Sequence, residues 1–135
     1  IVRDAEGASK FITIEIVEGA SEKDCLEIAY TIAHSPLVKT AFFASDPNWG
    51  RILAAIGRAR IGALDVNALS IYLDELCVFS RGARDPGYRE EMGQAIMRKP
   101  EVTVRVALAA GTHAARIWTC DLSHDYVRIN AEYRS

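Results

Sequence analysis

The signatures of the common catalytic classes are missing from this chain. It has no GxSxG, no HExxH, no phosphate-binding glycine loop and no dinucleotide fingerprint. Serine-hydrolase, zincin and nucleotide chemistries therefore have no local support. Cysteine is scarce: Cys25, Cys77 and Cys120 form an odd set with no Cys-x-x-Cys pair. Such a set, in apolar-periodic segments, fits a reduced compartment better than a disulfide framework. His34, His113 and His124 share no ligand spacing with the cysteines, which argues against zinc or another metal. An excess of charge of one sign is lacking too. Lys plus Arg is 16 and Asp plus Glu is 18, a formal net charge of −2. That balance argues against nucleic acid or an anionic membrane as a bulk partner, so any anion site must be local. No apolar run approaches the roughly 20 residues that span a bilayer. No signal peptide is visible, and Ile1 does not look like a native start.

What is present reads as an ordinary globular domain. The 135 residues are 50% hydrophobic and 25% charged, consistent with one domain over residues 1–135. A chain of this size buries about two-thirds of its unfolded surface. Ile12, Ile14 and Ile16 alternate with Phe11, Thr13, Glu15 and Val17, which predicts a half-buried strand broken at Gly19-Ala20. Ser21 followed by Asp24 is a capping-box-like helix start. Leu26, Ile28, Ala29, Ile32 and Ala33 form the helical stripe, which stops at Ser35-Pro36. Residues 37–43 are expected to form a buried strand.

A second helix is expected from Pro47 to about Arg60, closed near Gly62. Residues 67–73 and 76–79 predict a hairpin about Asp74-Glu75, although two acids are poor turn chemistry. Residues 81–86 read as a polar loop. Residues 88–98 read as a helix with Met92, Ala95 and Ile96 inward. Val102, Val104, Val106 and Leu108 alternate as a strand ending at Gly111, expected to pair with residues 114–120. A last helix is expected over residues 123–133, with Tyr126, Ile129 and Tyr133 on one side. The class is α/β (α+β) with a mixed sheet and helices packed on one or both faces.

The densest motif is Asp46-Pro47-Asn48-Trp49-Gly50-Arg51. Asp46 reads as an N-cap and Pro47 as a first-turn residue, since a missing N–H costs nothing there. A strand handing over to a helix N-terminus is a common anion site. The bland alternative is a helix start with a packed Trp. Arg51 can clamp a carboxylate or pair with Asp46. Trp49 and Trp118 read as packing residues.

Four other positions are candidates for chemistry. Glu6 is followed by small residues that let a ligand approach, and its carboxylate can bind an amine or move a proton, or is simply a solvated acid before a strand. Lys10 can pair with Glu6, but exposed Lys is the usual case. Asn130 offers amide donors and a carbonyl acceptor, enough to hold both charged ends of an amino acid, although a helix C-terminal residue hydrogen-bonded to backbone is the plainer reading of its position. Ser135 is the last residue, and terminal residues are ordinarily poorly ordered. His124 sits at an expected helix start, where the dipole disfavours an imidazolium, so a capping or surface role fits it better. His34 and His113 look structural.

Several segments, taken in order, carry a family resemblance. They are Ala5-Glu6-Gly7-Ala8-Ser9-Lys10-Phe11, then Ser35-Pro36-Leu37-Val38-Lys39-Thr40-Ala41, then the Asp46 to Arg51 motif. The ending Asp121-Leu122-Ser123-His124-Asp125-Tyr126-Val127-Arg128-Ile129-Asn130-Ala131-Glu132-Tyr133-Arg134-Ser135 completes the set. Together they closely resemble the second (beta) subunit of ornithine acetyltransferase, also called glutamate N-acetyltransferase, of arginine biosynthesis.

The resemblance implies the distal part of a self-cleaving N-terminal-nucleophile fold. It implies ping-pong transfer of an acetyl group from N-acetylornithine to glutamate through an acetyl-threonine, with no cofactor. The nucleophilic Thr would lie upstream of Ile1, leaving no catalytic nucleophile in this chain. The oxyanion-hole donors would belong to the other subunit. The resemblance assigns substrate contact to Glu6, Asn130 and Ser135. It departs mildly from the family at Ala5, where glycine is common, and at Ser9 and Ser135, where threonine is common.

The partners implied are the alpha subunit of the same precursor and the rest of the beta subunit, as alpha2beta2 or larger. The expected location is the bacterial cytoplasm, or the mitochondrial matrix in a eukaryote. The alternative from another class is a small regulatory amino-acid-binding module without catalysis.

Overall fold

The computed structural model describes residues 10–62 and 64–121. The isoleucine alternation forms β1 (Phe11–Gly19), with Ile12, Ile14 and Ile16 buried on one face. Helix α1 (Glu22–Ala33) starts where expected: the Ser21 hydroxyl accepts the Asp24 N–H. His34 closes it as the C-cap.

Residues 37–43 are not a strand. They form α2 (Pro36–Phe43). Ser35 caps the helix by accepting the Val38 N–H at 3.2 Å, and Pro36 occupies its first turn. Val38, Ala41 and Phe42 are buried at helical spacing, while Leu37 and Phe43 face out. A short apolar run is ambiguous by periodicity alone, and here the local start signal decides it. Ser35→Ala removes the cap from a buried site that also accepts from Arg58 Nη2. We expect a loss of about 0.5–2 kcal/mol, read as a lowered thermal midpoint; an unchanged midpoint would show that the cap contributes nothing.

Helix α3 is Trp49–Gly57, shorter than expected and ending at the C-cap Arg58 rather than near Gly62. Its N-cap is Asn48, whose Oδ1 accepts the Arg51 N–H, not Asp46. Pro47 therefore lies before the helix and not in its first turn.

The hairpin is β2 (Ser70–Leu73) and β3 (Leu76–Ser80), starting three residues later than expected. Its acidic turn has a physical reason. Asp74 has φ 52°, a region that Asp tolerates better than most residues. Its carboxylate accepts the Thr103 N–H and pairs with Lys99. The segment read as a polar loop contains β4 (Ala83–Arg84), joined to β3 through Arg81 and Gly82, both at positive φ.

Helix α4 is Glu90–Met97. Gly93 and Met97 are its buried positions and Ile96 is half-buried. Met92 and Ala95 point outward, against expectation.

Strand β5 (Glu101–Ala107) buries Val102, Val104 and Val106. Strand β6 is His113–Cys120. It does not pair with β5. The six-stranded sheet runs β4-β3-β2-β5-β1-β6, with β1 parallel to β5 and antiparallel to β6. The connection from β5 to β6 climbs over the end of β1, where Ala110 and Gly111 donate to the Glu18 carbonyl. A Cβ on Gly111 would meet Gly19 backbone, so the crossing requires a residue without one.

One cluster joins the sheet to all four helices. It contains Ile12, Ile14, Val104, Val106 and Ile71 from the strands. Ile28, Phe42, Ile52 and Met97 come from the helices. Among the described residues, the helices therefore cover one face of the sheet and leave the other uncovered.

Candidate functional site

The two ends of the described chain meet at one corner of the sheet. Phe11, at the start of β1, faces Cys120, at the end of β6. One residue beyond that pair, the Lys10 N–H donates to Asp121 Oδ1 at 2.9 Å, and the Asp121 N–H donates to the Lys10 carbonyl at 3.3 Å. The Lys10 ammonium donates to the Lys99 carbonyl at 3.3 Å. Phe11 N–H donates to the Pro100 carbonyl at 2.8 Å. The corner thus ties β1, β6 and the approach to β5 together.

Lys10 is 8% exposed and Asp121 fully buried. The expectation of a surface Lys10 is therefore wrong: the pleat turns it inward beside Asp121. Burial holds its ammonium below the usual lysine range, and the Asp121 charge opposes that shift.

The uncovered sheet face is polar. Glu15 accepts from Arg105 Nε at 2.8 Å and from Arg116 Nε at 3.0 Å, across two neighbouring strands. These bonds hold the Glu15 carboxyl below its ordinary range, burial working against them. The triad lines a cleft of about 680 Å³ together with Thr13, Thr103 and Trp118. Trp118 is 53% exposed there, not packed in the core, because its strand position faces away from the helices.

The Asp46 to Arg51 segment is a joint between helices. Arg51 Nη1 donates to the Leu37 carbonyl at 3.0 Å and to Thr40 Oγ1 at 3.3 Å. The Asp46 N–H donates to the Ala41 carbonyl, and the Asp46 carboxylate accepts from the Asn48 amide. Arg51 is thus spent on α2, and not on Asp46 as one alternative had it. Trp49 packs as expected, with its ring 5.5 Å from that of Phe79. The element before the motif is a helix and not a strand, so the strand-to-helix anion site does not form.

Glu6, Asn130 and Ser135 lie outside the described residues, as do His124 and the helix expected over residues 123–133. Among the described residues, no group of three His, Cys, Asp or Glu converges as a metal site would. Cys25 and Cys120 are buried and Cys77 is half-buried. Burial pushes the Cys25 and Cys77 thiols up, away from nucleophilic use.

The model of the ArgJ family matches residues 1–135, the whole chain. The chain belongs to the ArgJ family. It is 56% identical to the arginine biosynthesis bifunctional protein ArgJ of Pseudomonas fluorescens (strain Pf0-1), covering 100% of this chain and 33% of that protein. It is 54% identical to the protein of the same name from Pseudomonas syringae pv. tomato, with the same coverage. The chain therefore spans a third of the length of these relatives. The crystal structure of ArgJ from Bacillus halodurans superposes with a TM-score of 0.87 at 35% identity. That match covers 98% of this chain and 62% of the other. The mixed sheet with its helical layer is thus the ArgJ fold, the N-terminal-nucleophile fold anticipated from the sequence.

Within that fold, the segments that carried the resemblance divide in two. The pair around Leu37 and Trp49 bond to each other and build the scaffold. Of the first and last, the described residues Lys10 and Asp121 are neighbours on adjacent strands. Asp121 and the Glu15 triad are features that sequence reasoning missed. Nothing in local spacing announces them, since the bonded partners are 111 and about 100 positions apart.

Proposed function

We propose that this chain is the distal part of an acetyltransferase of arginine biosynthesis, a beta-subunit segment that holds the amino-acid substrates while the nucleophile comes from elsewhere in the protein. The observation that carries this reading is the Lys10–Asp121 corner. Glu6 is four residues before Lys10 and Asn130 nine after Asp121. Lys10 and Asp121, the described residues nearest to them in sequence, are neighbours on antiparallel strands, which supports bringing the two contacts to one pocket. Membership of the ArgJ family supplies the pathway, through relatives named for arginine biosynthesis.

The chemistry runs in two balanced half-reactions. The Thr hydroxyl attacks the acetyl carbonyl of N-acetylornithine, its own amine taking the proton. The amide C–N bond breaks and ornithine leaves as the free amine. The glutamate amine then attacks the acetyl-threonine ester, forming N-acetylglutamate and restoring the hydroxyl. Both acceptor and leaving group are amino acids, so one set of polar contacts serves both steps. In this reading the Glu6 carboxylate meets the substrate ammonium. The Asn130 amide meets both charged ends, and Ser135 closes the pocket with its hydroxyl. The remaining partners are the alpha subunit and the first part of the beta subunit.

Residues 1–135 alone are expected to show no acetyl transfer, because the nucleophile is absent. Co-production with the rest of a family-length protein should restore transfer from N-acetylornithine to glutamate. Detectable turnover by the isolated chain would overturn the reading.

A further inference from the structure

We propose that the uncovered sheet face is the contact between two copies of this protein, packed face to face about a two-fold axis that runs along the Thr103–Thr13–Trp118 row. It does not depend on the acetyl-transfer reading above.

The strand registers set three rows across this face. Thr13 lies between Thr103 on β5 and Trp118 on β6. Two residues further along β1, Glu15 lies between Arg105 and Arg116. Two residues back, Glu101 opens β5 beside Phe11. Rotation about the middle row maps that row onto itself. It lays the arginine row of each copy over the Glu101 row of the other. Arg105 and Glu101 share β5, so each Arg105 comes over the Glu101 of the second copy, and the contact is made twice. Asp74 is level with Thr103, but Lys99 already pairs with it, so it brings no bare charge to the axis. A surface that is self-complementary in this way is what a two-fold contact between identical chains requires.

The side chains suit that use. Glu15, with its side chain 13% exposed, holds both guanidiniums in place, yet they stay 46% and 57% exposed. One carboxylate between two guanidiniums leaves that row with a positive charge. Glu101 is exposed, and Glu75 lines the same cleft. Trp118 stands in the row between, about half exposed, and Tyr72 extends the arginine row on β2. Trp, Tyr and Arg are the residues that dominate binding hot spots. A solvated face accounts for the threonines and the ion pairs, but not for an open indole beside them. Six strands about 4.8 Å apart, with about seven residues rising 3.3 Å each, give a face of roughly 600 Å². Two copies would bury about 1,200 Å², the lower end of stable specific interfaces. Stacked sheets lie about 10 Å apart, a gap that facing Arg and Glu side chains can bridge.

The test is the mass of the full-length protein in solution, by sedimentation equilibrium, beside a thermal melt. The wild-type protein is expected to hold two copies or a multiple of two; a single copy overturns the proposal. Glu101→Arg sets like charges opposite Arg105 at both contacts. It should halve the mass and raise the dissociation constant by at least about 100-fold, since like charges brought together across an interface are strongly unfavourable. A folded Glu101→Arg protein of wild-type mass overturns the proposal, and is the result expected if another part of the polypeptide covers the face. Trp118→Cys gives a second reading that holds even if Glu101→Arg does not fold. A bismaleimide of about 10 Å reach, the spacing of stacked sheets, should join two copies through this position and leave the wild-type protein unjoined. Absence of that cross-link overturns the proposal.

Discussion

Phe79→Ala is expected to lower stability by about 3–5 kcal/mol, the usual cost of deleting a buried aromatic ring. Phe79 is 2% exposed and sits opposite Ile71 in the β2–β3 ladder. Its ring also backs Trp49, the first residue of α3, so its loss removes the support of the motif as well as core volume. Trp49→Ala should cost less, because the indole is only half-buried. A denaturant series on both variants checks the order. A Phe79→Ala loss below about 1 kcal/mol, the centre of ordinary point mutations, would show that the surroundings close over the space.

Glu6→Gln is expected to lower kcat/KM by about 10- to 150-fold with the fold retained. The substitution keeps size and removes charge. A hydrogen bond to a charged group is worth about 1.5–3 kcal/mol, and about 1.4 kcal/mol is a factor of ten. Both half-reactions should suffer, since the amine released as ornithine leaves and the amine that glutamate brings occupy the same place in turn. Steady-state kinetics with each substrate decides it. Unchanged constants with both would remove Glu6 from the pocket.

Much of the local structure was legible because it is set by neighbours in sequence. The alternation of Ile12, Ile14 and Ile16 and the Ser21 cap each act within one strand or one turn. The Leu73–Leu76 hairpin was also readable, although its turn residue, Asp74, looked unsuitable. Its suitability comes from Thr103 and Lys99, which arrive from a distant part of the chain. Residues 37–43 went the other way. Their apolar run fits a strand or a helix face, and the Ser35-Pro36 start signal was read only as the end of α1.

Beyond the β2–β3 hairpin, the arrangement of strands was not legible. Residues 114–120 were expected beside β5 because adjacent strands in sequence usually pair. The chain instead crosses the end of β1 and places it between them. A central β1, covered on both edges, satisfies its backbone through two long ladders. The burial of Lys10 and Asp121 follows from that pairing, and so does the exposure of Trp118.

The sequence by itself determined the family, the mixed α/β class and the residues proposed to hold substrate, because motifs and short-range periodicity are written in consecutive residues. Only the tertiary structure decided which strand lies beside which. It also decided that the motif around Arg51 is a helix joint, and that Lys10 and Asp121 meet at one corner of the sheet. The helix joint depends on bonds 14 and 11 positions apart, and the Lys10–Asp121 corner and the Glu15–Arg116 bond on partners 111 and 101 positions apart. Such pairings are chosen by how the whole sheet closes around its core and not by any local preference.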